Sequence, residues 1–82
     1  MNYYVYVLRS IRNSKQYIGS TAKNPEMRLI EHNTGANTWT KQNRPFTLIY
    51  SETFSSRTEA RKRENFLKSG QGLKWLDDNI RG

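Results

Sequence analysis

Tyr3-Tyr4-Val5-Tyr6-Val7-Leu8 is an unbroken run of aromatic, β-branched and aliphatic residues near the start of an 82-residue chain. A half-exposed strand alternates apolar with polar positions, so a run without a polar break specifies a strand buried on both faces, the centre of a small sheet. A chain this short has one thin core and one working surface, and residues 1–82 read as a single domain built around that strand. There is no cysteine, which excludes disulfides and thiolate metal sites and leaves packing alone to hold the fold.

Arg9 to Lys15 breaks the run with turn-forming residues, and Gln16-Tyr17-Ile18-Gly19-Ser20 reads as the returning strand of a hairpin. Alternation puts Tyr4, Tyr6 and Leu8 on one side of the first strand, and Tyr17 and Gly19 on one side of the second. Asn24-Pro25 opens a helix to about Thr34, with Asn24 capping, Pro25 first inside and Gly35 past the end. On that helix Met27 and Ile30 share one side, while Arg28 and His32, four apart, are neighbours on another. Gly35 to Pro45 reads as a polar, turn-rich loop holding Trp39. Phe46 to Ser51 reads as a third strand with Phe46, Leu48 and Tyr50 on one face. Ser56 followed by Glu59 is a capping-box pattern for a helix to about Lys68, stopped by Ser69-Gly70. Ala60, Glu64 and Leu67 lie on its inward stripe. Leu73, Leu76 and Ile80 repeat at helical spacing after Gly72, giving a short last helix that packs Trp75 or its neighbours on the domain. The order strand, strand, helix, strand, helix, helix predicts an α/β fold, a small three-stranded, mainly antiparallel sheet flanked by helices.

Fourteen Lys and Arg against seven Asp and Glu give a formal charge of +7, which favours an anionic partner, nucleic acid before an acidic membrane surface. The N-terminus has no signal-peptide pattern and no apolar run approaches a membrane span, so a soluble cytoplasmic protein without a membrane partner is expected. Trp39 beside Lys41 and Arg44 reads either as a base-stacking or backbone-tracking surface, or as a ring folded back over the sheet edge. Glu64 among inward-facing positions must pair, bind a cation or take up a proton. A metal ion, an ion pair with Arg28 and a cap at the sheet end are all open on spacing alone.

Tyr4-Val5-Tyr6, Tyr17-Ile18-Gly19, Arg28, His32 and Glu64 together resemble the GIY-YIG nuclease superfamily in order and spacing, over nearly the whole chain. The likeness is greatest to its small stand-alone bacterial members. Tyr4 and Val5 stand where the motif opens with glycine and isoleucine, and Met27 stands where many members carry a second basic residue. The resemblance implies a DNA phosphodiesterase using one divalent cation, Mg²⁺ with Mn²⁺ as a possible substitute. It casts Tyr6 and Tyr17 as the strand tyrosines of the site, Gly19 as the motif glycine and Arg28 as the phosphate-stabilising arginine. His32 becomes its helical neighbour and Glu64 the metal ligand. Tyr17 and His32 both stand as the general base; Asn79 is a candidate for a late asparagine of the site. Arg57, Arg61, Lys62 and Lys68 on the second helix are expected to reach phosphates beyond the scissile linkage.

The expected activity is a structure-dependent or weakly sequence-specific endonuclease on duplex, flap or branched DNA, with a protein partner as a possible source of specificity. The alternative is a non-catalytic nucleic-acid-binding module serving a DNA-repair or RNA partner. A weaker third reading is a positive face that meets an acidic protein.

Overall fold

The computed structural model describes residues 1–80. Its centre is the strand β1 (Tyr3–Ser10), paired antiparallel on one side with β2 (Gln16–Thr21) and on the other with β3 (Phe46–Phe54), giving the sheet order β2-β1-β3. Val5, Tyr6, Val7 and Leu8 are all buried, as expected of a strand covered on both faces. Val5 and Val7 join Ile18, Ala60, Leu67 and Leu76 in one core, under α3 (Arg57–Lys68) and α4 (Gly70–Asn79). Tyr6 and Leu8 join Phe46, with Tyr17, Leu29 and Leu48 against them, under α1 (Pro25–Asn33).

The helix ends form where the sequence places them. Asn24 Oδ1 accepts from Glu26 N at 2.8 Å with Pro25 first in α1, and Ser56 Oγ accepts from Glu59 N at 3.2 Å at the start of α3. Met27 and Ile30 share the solvent side of α1, 54% and 60% exposed, so the helix turns its polar Arg28–His32 side toward the sheet.

Three expectations are corrected. The stretch read as a loop contains a further helix, α2 (Thr38–Asn43), capped by Asn37 in a reciprocal capping box with Thr40. Tyr50 does not share a face with Phe46 and Leu48: the register slips between Val7 and Leu8, one extra β3 residue is accommodated, and Tyr50 falls in the opposite core. The last helix begins at Gly70 rather than after Gly72; of its apolar residues Leu76 is buried, whereas Leu73 is 46% exposed. Among the described residues no helix is long and apolar enough to cross a membrane.

Candidate active site

The β1–β2 register sets the floor of the site. Tyr6 lies opposite Gly19 and Leu8 opposite Tyr17, so both tyrosines rise from the α1-facing side of the hairpin. Gly19 makes room for Tyr6: a Cβ there would stand 2.7 Å from the Tyr6 hydroxyl. A larger residue would therefore displace the phenol.

From α1, Arg28 and His32 reach the same hydroxyl. Tyr6 Oη lies 3.0 Å from His32 Nε2, Arg28 Nε donates to Tyr6 Oη at 3.4 Å, and Arg28 Nη2 lies 3.4 Å from His32 Nε2. The Tyr17 ring packs on His32 with centroids 4.5 Å apart and lies 6.1 Å from the Tyr6 ring. Burial, with the Tyr17 hydroxyl adding to it and the Arg28 guanidinium opposing it, pushes the Tyr6 phenol up to about 12. Burial first and the Arg28 charge second hold the His32 imidazole below its usual value, so it is neutral at pH 7.

Glu31, three residues after Arg28, fixes the guanidinium: Oε1 accepts from Arg28 Nη1 at 2.6 Å, while Oε2 accepts from Lys23 Nζ at 2.7 Å. Sequence reasoning gave Glu31 no role, although the i,i+3 spacing to Arg28 carries the signal.

Glu64 is on α3, its side chain 17% exposed, beside the end of β2. Oε1 accepts from Ser20 Oγ at 2.6 Å and Oε2 from Lys68 Nζ at 2.7 Å. Its charge partner is thus Lys68, one helical turn on, and Arg28 pairs with Glu31 instead. Burial would raise the carboxyl, but the Lys68 ammonium and the Ser20 hydroxyl outweigh it and leave Glu64 below the usual carboxylate range. Ser20 is the second residue that sequence reasoning left without a role; it adjoins Gly19 and so ties Glu64 to the tyrosine end of the hairpin.

The remaining expected residues are spread around this centre. Trp39 on α2 stacks on Phe46 at 5.9 Å and meets Tyr17 at 5.8 Å, yet stays 37% exposed, so the ring is folded over the sheet and open to solvent at once. Lys41 packs its stem near Gly35, and Arg44 Nη1 donates to Asn33 O at 3.4 Å. Arg57 lies over the Tyr3 ring and, with Arg61, lines a small cleft beside Ser20 and Thr21. Lys62 is exposed on α3, and Lys68 is the partner of Glu64. Asn79 Nδ2 donates to Trp75 O within α4.

Residues 2–74 match the family described as the GIY-YIG catalytic domain. A UPF0213 protein of Staphylococcus haemolyticus is 40% identical over 80 residues, covering 93% of this chain and 95% of its own. A UPF0213 protein of Natronomonas pharaonis is 38% identical over 69 residues, covering 83% and 79%. Among solved structures, the solution NMR structure of a UPF0213 protein from Bacillus halodurans is similar with a TM-score of 0.56 and 30% identity, over 95% of this chain and 84% of that one.

Proposed function

This chain belongs to the GIY-YIG family, and on that premise we propose that it is a divalent-metal-dependent endonuclease hydrolysing phosphodiester bonds in DNA. The observation that carries the reading is the convergence of Arg28 and His32 on the Tyr6 hydroxyl, with the Tyr17 ring packed on His32 and Glu64 fastened to the residue after Gly19. A core built only for packing has no use for a guanidinium, an imidazole and two phenols at one point.

The donor set fits a cation that shares its shell with the substrate. Mg²⁺ keeps several waters and is held through one or two carboxylates plus substrate phosphate oxygens. Among the described residues no three His, Cys, Asp or Glu cluster as a self-contained cage, and Glu64 supplies one carboxylate. Glu64 would hold Mg²⁺, or Mn²⁺ in its place, once Lys68 gives up Oε2. Such an ion, when bound, neutralises charge at the phosphate.

The chain's own groups do the rest. Arg28, aimed by Glu31, stabilises negative charge gathering on the phosphorus oxygens. Tyr17 takes a proton from the attacking water while its hydroxyl, turned to donate to Tyr6, releases its own, and Tyr6 passes its proton to His32 Nε2, 3.0 Å away. The water becomes the nucleophilic hydroxide and the imidazole becomes imidazolium. Two weak phenol bases therefore serve as conductors, and the neutral imidazole is the acceptor. The substrate is duplex, flap or branched DNA, in the cytoplasm, with a protein partner as one source of specificity.

A second reading has one observation in its favour: both Glu64 oxygens are already satisfied, by Ser20 and Lys68, as they would be in a non-catalytic nucleic-acid-binding module. Cleavage of labelled linear, flap and branched DNA by wild type and Glu64→Ala, with Mg²⁺, Mn²⁺ or chelator, separates the two. Metal-dependent cutting that falls about 100-fold or more in the variant is expected. Salt-sensitive binding by both proteins with no cutting by either would establish the binding module.

A further inference from the structure

Trp39 and Leu73 are large apolar side chains from two different helices, 37% and 46% exposed on a surface of charge +7. They line one cleft of about 280 Å³, with Gln16, Tyr17, Ile18 and Lys68 as its other walls. We propose that this cleft holds a single unpaired nucleobase next to the cleaved linkage, so that duplex, flap or branched DNA is cut where its strand is frayed or single-stranded. The proposal deepens the nuclease reading and rests on it for the position of the linkage.

The cleft has the parts that such a site needs. Trp39 is held by Phe46 and Tyr17, so its ring is oriented before anything binds and little freedom is lost on stacking. Leu73 offers an apolar surface from the other helix. The Gln16 amide carries a donor and an acceptor suited to a base edge, and the exposed Lys68 brings positive charge to the mouth. Tyr17 belongs both to the cleft and to the cluster with His32, so a base seated on Trp39 brings its own backbone to the catalytic tyrosine. Bases in an intact duplex have both faces covered by their neighbours, and a cleft that takes a ring face admits only a base outside the stack. A protein partner would require a broad contact rather than one ring-sized cleft.

Binding in chelator tests this without turnover. The Trp75→Phe protein leaves Trp39 as the sole indole, and its fluorescence is followed with a short single-stranded oligonucleotide, an abasic oligonucleotide of equal length and charge, and a hairpin-closed duplex. Quenching by the base-bearing strand alone is expected, with binding about 5- to 100-fold tighter than to the abasic strand. By anisotropy of labelled strands, Trp39→Ala and Leu73→Ala should each lose most of that ratio, and Trp39→Phe, which keeps a ring on Phe46, should restore it. Leu73 is exposed, so its truncation leaves the fold in place. Equal binding of base-bearing and abasic strands, or a ratio unmoved by Leu73→Ala, would overturn the proposal. If base-dependent quenching holds while the Glu64 comparison shows no cutting, the nuclease reading falls and the base cleft stands. If cutting holds and a closed duplex is cut as fast as a single strand, the base cleft falls alone.

Discussion

His32 is fully buried, and only one of its ring nitrogens has a partner: Nε2 meets the Tyr6 hydroxyl, while Nδ1 has none among the described residues. An unmet polar atom in a core costs about 1–3 kcal/mol, which packing alone gives no reason to accept. Arg28 approaches both Tyr6 Oη and His32 Nε2 and can only donate. That favours a tautomer with bare Nε2 and a Tyr6 proton directed at it. The consequence is a pH profile. If His32 is the final proton acceptor, kcat/KM for DNA cleavage at saturating metal is flat from about pH 6.5 upward and falls only below, because burial and Arg28 depress the imidazole. If a free phenolate were the base, the rate would climb about tenfold per pH unit toward pH ~10. Measurement from about pH 5 to about pH 9.5 distinguishes them, and a continuous climb would sink the relay. Stability follows the same sign on the acid side. The unfolded chain binds the proton more readily than buried His32, so the contribution of neutral His32 is present above about pH 6.5 and is lost as pH falls through the depressed value.

At the level of elements, the joint between α3 and α4 decides how α4 lies on the sheet. Gly72 is buried against the end of α3: a Cβ there would stand 1.8 Å from Phe66 O and 2.5 Å from Leu67 Cα, backbone atoms that cannot turn aside. Gly70, two residues earlier, has nothing within 4 Å of the same construction. Gly72→Ala should therefore cost at least about 1–3 kcal/mol by prising α4 and its Leu76 away, whereas Gly70→Ala should be neutral or stabilising by up to about 1 kcal/mol. Urea unfolding of the two variants checks this, and equal losses would show that the joint is not the constraint. This contrast is invisible in the sequence, where both are glycines after a helix. The same limit explains the other misreadings. Two-residue alternation read Tyr6, Tyr17 and Gly19 correctly, and four-residue spacing put Arg28 beside His32, because both rules act within one element. The bulge that turns Tyr50 to the other face depends on pairing between β1 and β3, and α2 is too short, with Trp39 as its one large apolar residue, to show a period. Lys68 at i+4 from Glu64 was legible as a neighbour, but its choice over Arg28 depends on how α1 and α3 sit on opposite faces of the sheet.

For the whole molecule, the edge strand β2 becomes a line along which these parts are strung. Gln16 and Tyr17 open the Trp39 cleft at one end, Ser20 holds Glu64, and Ser20 and Thr21 line the cleft with Arg57 and Arg61 at the other, over a strand about 17 Å long. One extended strand of DNA laid along β2 would place a base on Trp39, the cleaved linkage between Tyr17 and Glu64, and a further phosphate at Arg57 and Arg61. The charge of +7 then acts in two ways, as a general attraction and as local phosphate contacts, and salt separates them. Each phosphate neutralised on a single strand contributes about 0.7 to the slope of log affinity against log salt. Replacing Arg57 and Arg61 together by Gln removes that one further phosphate contact and should lower the slope by about 0.7. Both side chains are exposed, and only Arg57 packs on an aromatic ring, so the fold should survive the change. Oligonucleotide binding across a series of salt concentrations, with circular dichroism as the check on folding, reads the slope directly. A slope unchanged in the folded variant would move the second phosphate off the end of β2 and leave the line with only its Trp39 and Glu64 stations.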